Sequence, residues 1–152
     1  MQALNLPTYS FNIKPEGGRN FILDIIRRKY VALTPEEWVR QNFIHYLNKE
    51  KNYPLSLMSV ETGFILYEVN KRSDILIYNR QGKAVALIEC KAPEVKITHK
   101  VFEQIVRYNL KYELNILMLT NGLQHYCSRL NHIDHSTEFL KEIPSFESLI
   151  LG

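Results

Sequence analysis

The chain has 152 residues, a formal net charge of +3, 45% hydrophobic and 23% charged residues, the profile of one globular domain with a sizeable core. No run reaches the length of a membrane span, no signal-peptide core opens the sequence, and two cysteines, Cys90 and Cys127, make no disulfide framework. Those absences point to a cytoplasmic protein with reduced thiols. The mild positive charge is compatible with a polyanionic partner without establishing one.

Residues 1–20 mix Pro7, Pro15, Gly17 and Gly18 with a short alternating piece, and read as an irregular arm with at most one edge strand. Residues 21–30 turn from apolar to basic at Arg27, Arg28 and Lys29, a short strand or loop entering the first helix. Thr34-Pro35-Glu36-Glu37 predicts the helix start, with Thr as N-cap, Pro at the first position and Glu at the capping-box position. The helix is expected to reach about Lys49 with Trp38, Val39, Phe43 and Leu47 on its buried stripe. After Pro54, residues 55–60 and 64–69 read as strands.

The most informative stretch follows. Residues 74–78 and 84–91 are aliphatic runs joined by the polar turn Asn79-Arg80-Gln81-Gly82-Lys83, a hairpin pattern. A tip at Gln81-Gly82 puts Arg80 opposite Lys83 and, in the same register, Asp74 opposite Glu89. Directly opposed residues share a face with Cβ atoms about 5 Å apart. Lys91, two residues beyond Glu89, falls on that face too. Opposed like charges are destabilising, and a divalent cation between them reverses that repulsion. Hard oxygen donors favour Mg²⁺ or Mn²⁺. Such an ion can activate water and polarise a phosphodiester, while Lys91 orients the water or stabilises transition-state charge. The plain alternative is a surface salt bridge between Lys91 and either carboxylate.

Thr98 is expected to cap a second helix over about 100–112, with Val101, Phe102, Ile105 and Tyr112 apolar. Gln104 and Tyr108 share a helix face, with Lys100, Arg107 and Lys111 on or beside it. That stripe suits phosphate and sugar contacts or stacking on unpaired bases, or it is simply a solvated face. Residues 115–119 and 125–130 read as strands, and the tail carries a short helix near Ser145. The expected fold is a mixed α/β sheet with a helix on each face. The core spans about 20–130, between an arm at 1–20 and a tail at 131–152.

Asp74, then Glu89-Cys90-Lys91, then Gln104-Ile105-Val106-Arg107-Tyr108 resembles the PD-(D/E)xK nuclease superfamily. More closely, it resembles the branch with a trailing Gln-x-x-x-Tyr element, found in R subunits of type I restriction–modification systems and in RecB-type nucleases. The run Lys29 through Gln41, Ile88 through Pro93 and Leu119-Thr120-Asn121-Gly122 are similar to the type I family's opening helix and core strands. The resemblance implies a restriction-endonuclease-like fold and metal-dependent DNA cleavage. It implies Asp74, Glu89 and the Cys90 carbonyl as ligands of Mg²⁺ or Mn²⁺, and Lys91 as the catalytic lysine. Gln104 and Tyr108 would support the site or position DNA, and Glu37, ahead of Glu36, would be the acidic residue of the first helix. Ser73 stands where the family pattern usually has proline. No Gly-x-x-x-x-Gly-Lys-Ser/Thr loop follows, so the implied partners are DNA and other restriction–modification subunits or a separate motor.

Three other readings compete. His125, Cys127, His132 and His135 fall within eleven residues and hold enough donors for zinc, although their spacing matches no common module. Cys90 as a hydrolytic nucleophile is opposed by its strand position, which turns it from Glu89 and Lys91 towards the core. A nuclease-like fold used only to bind DNA or a partner subunit is the third, and here the intact triad argues against lost chemistry.

Overall fold

The computed structural model describes residues 1–60, 63–66, 69–72, 75–110 and 113–151, with the backbone alone at 63–66, 69–72 and Tyr108. The arm is more ordered than its Pro and Gly content suggests. Strands β1 (Ile13–Glu16), β2 (Arg19–Asp24) and β3 (Lys29–Ala32) form a three-stranded antiparallel meander. Its first turn is Gly17-Gly18, both at positive φ (58° and 77°), the backbone that a two-residue hairpin loop of matching twist requires. The expectation of an irregular arm holds for residues 1–12 and is corrected from Ile13 on, where the glycines make the turn instead of breaking the strands.

Helix α1 (Pro35–Lys51) starts as expected, Thr34 Oγ1 accepting the Glu37 N–H at 3.0 Å. Asn52, in the left-handed conformation, ends it. Val39, Phe43, Ile44 and Leu47 are fully buried. Trp38 leaves that stripe to pack on the arm, its ring 5.0 Å from Phe11 and its indole N–H donating to the Gln2 carbonyl. A 3-10 turn over Leu55–Leu57 precedes β4 (Met58–Val60), so the strand expected over 55–60 is half that length. The single strand expected over 64–69 is instead a hairpin of β5 (Gly63–Leu66) and β6 (Val69–Arg72).

The main sheet adds β7 (Ile75–Tyr78), β8 (Ala84–Cys90), β9 (Ile116–Thr120), β10 (His125–Leu130) and β11 (Thr137–Leu140). Its order is β11-β10-β9-β8-β7-β4, with β8 and β9 parallel and the other pairs antiparallel. Helix α2 (His99–Asn109) is the crossover between the parallel strands, and α3 (Phe146–Leu151) closes the tail. Strand alternation sends side chains to two cores. Ile75, Ile77, Ala86, Ile88, Cys90, Ile116 and Met118 face α1 and α3, whereas Leu76, Leu87, Leu117 and Leu119 face α2. The expected mixed sheet with a helix on each face is what forms. Central strands covered on both sides read as unbroken apolar runs for that reason.

Gly122, at φ 85°, shapes the β9–β10 turn beside α1. A Cβ there would sit 2.7 Å from Leu4 Cδ2 and 3.2 Å from Val39 Cγ2, so a larger residue would push the Leu4 side chain aside as well as strain the backbone at this positive φ.

Candidate functional site

The hairpin register over its apolar part is the expected one, with Ile75 opposite Ile88, Leu76 opposite Leu87 and Ile77 opposite Ala86. The tip differs. A β-bulge at Ile77/Tyr78 sets Tyr78 opposite Ala84, and Asn79, not Arg80, meets Lys83 through an N–H to carbonyl bond of 2.8 Å. The Asn79 side chain dictates this turn, its Oδ1 accepting from the N–H of Gln81 and of Lys83. Arg80 is freed to reach Glu147 at 2.5 Å.

Glu89 is half-buried near the end of β8, on the α2 side with Leu87. Lys91, also half-buried, follows immediately after the strand. Its N–H donates to the Thr120 carbonyl at 2.8 Å, extending the parallel ladder by one bond and fixing the backbone. Neither side chain forms a hydrogen bond or ion pair among the described residues. A charged pair held at a strand end without side-chain partners among the described residues is available to a ligand. Cys90 between them is 1% exposed in the α1-side core, turned as its strand position requires, and cannot serve as an exposed nucleophile. Asp74 and Lys111 lie outside the described residues, as does the side chain of Tyr108.

Glu37 sits in a cavity of about 590 Å³ whose walls include Arg27, Arg40, Ala92 and Glu94, so it faces the segment directly after Lys91. Its carboxylate accepts from Arg40 Nη1 at 2.5 Å and Gln41 Nε2 at 2.9 Å, with Arg27 Nη2 at 3.4 Å. Arg27 is in turn held by the fully buried Asp24, Nε to Oδ2 at 2.6 Å. Sequence reasoning missed this network. Arg40 and Gln41 stand three and four residues after Glu37, the helix spacing that could have revealed it.

On α2, Thr98 Oγ1 accepts the Val101 N–H as expected. Phe102 and Val106 point to the sheet, whereas Val101, one of the expected apolar positions, is 39% exposed. Lys100, Gln104 and Arg107 are exposed. No hydrogen bond or ion pair joins Gln104 to Glu89 or Lys91 among the described residues, so the helix offers an open polar stripe.

The His and Cys residues of the zinc reading do not converge, and no group of three His, Cys, Asp or Glu side chains able to hold a metal occurs among the described residues. His125 is bonded to Thr120 Oγ1 and the Asn5 carbonyl. Cys127 lies in the core, where burial pushes its thiol up to about 12. His132 faces the carbonyls of Leu110 and Leu114, and His135 is exposed. No helix among the described residues is long and apolar enough to cross a membrane.

Residues 35–144 match the family model for the N terminus of the type I restriction enzyme R protein. The chain belongs to this family. A solved fragment described as an HsdR subunit of a type I restriction enzyme from Vibrio vulnificus YJ016 has a similar fold, with a TM-score of 0.53 and 18% identity over 80% of this chain. The chain spans a quarter (25%) of that fragment's length. No curated protein matches the sequence at a significant level. In this R-protein N-terminal domain, the matched region takes in α1, the hairpin with Glu89 and Lys91, α2 and the rest of the main sheet to β11.

Proposed function

We propose that the chain is a metal-dependent DNA endonuclease of the PD-(D/E)xK type, acting as the nuclease part of a type I restriction system. The observation that carries this reading is the pair Glu89 and Lys91, two residues apart at the end of a central strand, whose side chains have no hydrogen-bond or ion-pair partner among the described residues. Asp74 directly precedes β7, whose first residue, Ile75, is opposite Ile88. Asp74 and Glu89 are therefore sequence neighbours of an opposed pair, which supports their action together. The donor set fits a hard cation: two carboxylates and the Cys90 carbonyl, all oxygen.

Bound Mg²⁺ or Mn²⁺ would lower the pKa of a coordinated water and polarise the phosphodiester. Asp74 and Glu89 would hold the cation, and Lys91 would set its ammonium against the charge growing on the phosphate oxygens. Glu37 already accepts from Arg40, Gln41 and Arg27, so its part is secondary. Lys100, Arg107, Lys111, Gln104 and Tyr108 contact the DNA backbone, which positions the strand without reading its sequence. Other restriction–modification subunits, or a separate motor, deliver the DNA.

The test is nicking of supercoiled plasmid in Mg²⁺ or Mn²⁺, with calorimetric titration of the metal. Lys91→Ala should slow cleavage by roughly 10²-fold or more, and Asp74→Ala should abolish the metal-binding heat. Equal cleavage by wild type and Lys91→Ala would remove the lysine from the mechanism. DNA retention without metal binding or nicking would instead identify a silent DNA-binding module on the same fold.

A further inference from the structure

The sheet face opposite Glu89 carries a second charged cleft, remote from the proposed nuclease chemistry. Arg129 lies on β10 two residues after Cys127, so its side chain leaves the sheet on the α1 side. Its backbone is opposite Ile116, at the start of β9, whereas Glu89 is opposite Leu119. The cleft, about 610 Å³ in volume, is walled by Arg129, Lys51 at the end of α1, Lys141, Glu142, and the hydroxyl residues Ser145 and Ser148.

Arg129 Nη1 is buried and has no hydrogen-bond acceptor among the described residues. Glu138 is opposite Arg129 in the β10–β11 register, yet it is exposed and no ion pair joins the two among the described residues. A guanidinium keeps its charge at any ordinary pH, and a buried donor without an acceptor is costly. Three cations against Glu142 leave the cleft walls net positive. A planar fork, two flexible ammonium groups and two hydroxyls together offer enough donors to surround a tetrahedral oxyanion.

We propose that this cleft binds a phosphate group, supplied by a nucleotide or by a nucleic-acid backbone, with Arg129 as its anchor and Lys51 and Lys141 as flanking cations. The site stands apart from the nuclease reading and requires no divalent metal.

The full chain, isotopically labelled and kept in a chelator to prevent cleavage, is titrated separately with inorganic phosphate, ADP and a short DNA duplex. Saturable shifts at the Arg129, Lys141 and Ser145 signals are expected. A response to ADP at lower concentration than to duplex assigns a nucleotide, and the reverse assigns a strand. Arg129→Gln should weaken the responding ligand about tenfold or more. Lys141→Ala, at an exposed position that leaves folding intact, should weaken it less and, for duplex, reduce the salt slope by about one. No saturable shift with any of the three probes, or affinities unchanged in both variants, would overturn the proposal. Loss of plasmid nicking in Lys91→Ala would leave this binding untouched, so the two readings fail separately.

Discussion

Glu37 is gripped by two donors of its own helix, Arg40 and Gln41, and through Arg27 it is tied to the buried Asp24. The resemblance picks out the carboxylate, but not its ties, because Arg27 comes from a segment whose fold the sequence leaves open between strand and loop. The side of the sheet that Glu89 takes was legible for the opposite reason: it depends only on strand alternation. Two histidines give the chain a pH signature. Burial pushes both His45 and His125 below the usual 6.5, so the folded state favours the neutral rings. On acidification the unfolded chain takes up these protons first. Their contribution is therefore full above about pH 6.5 and is lost as pH falls through the lower folded-state values. Urea midpoints should drop between about pH 7 and about pH 5, and the His45→Gln/His125→Gln double variant should show a shallower drop. An unchanged slope would locate the acid sensitivity elsewhere.

At the scale of elements, local chemistry was readable wherever one residue decides the backbone. Thr34 and Thr98 cap the two long helices as their sequences announce. Removal of the first cap, Thr34→Ala, should cost about 1 kcal/mol in urea unfolding, and because Thr34 shares the Glu37 cavity the loss should also loosen that carboxylate's setting. Less legible were features set by partners distant in sequence. The bulge beside Tyr78 answers to Asn79, whose side chain closes the turn one residue earlier than a Gln81-Gly82 tip would. Trp38 follows the arm, which no periodicity within α1 could announce. Gly17-Gly18 did carry a hairpin signal, obscured by the neighbouring Pro15, which β1 accommodates opposite Asn20.

Over the whole molecule, composition and element order were enough to anticipate a mixed sheet between helices, while the strand order and the extra edge strand β11 were not. Thr137–Leu140 is mostly exposed and short, with no apolar alternation to mark it. Among the described strands the main sheet has one parallel pairing, and that pairing has a kinetic meaning. The β7–β8 hairpin closes across a five-residue turn, but Ala86 meets Ile116 only after the whole α2 crossover has been laid down. Closing a longer loop costs more chain entropy before any contact rewards it. In pulse-labelled hydrogen exchange during refolding, the Ile77 and Ala86 amides should gain protection before that of Lys91, whose acceptor is Thr120 on the far side of the crossover. The ammonium-bearing residue would then take its seat late, so that under the proposed nuclease reading partly folded chains would be unable to cut whatever nucleic acid they meet.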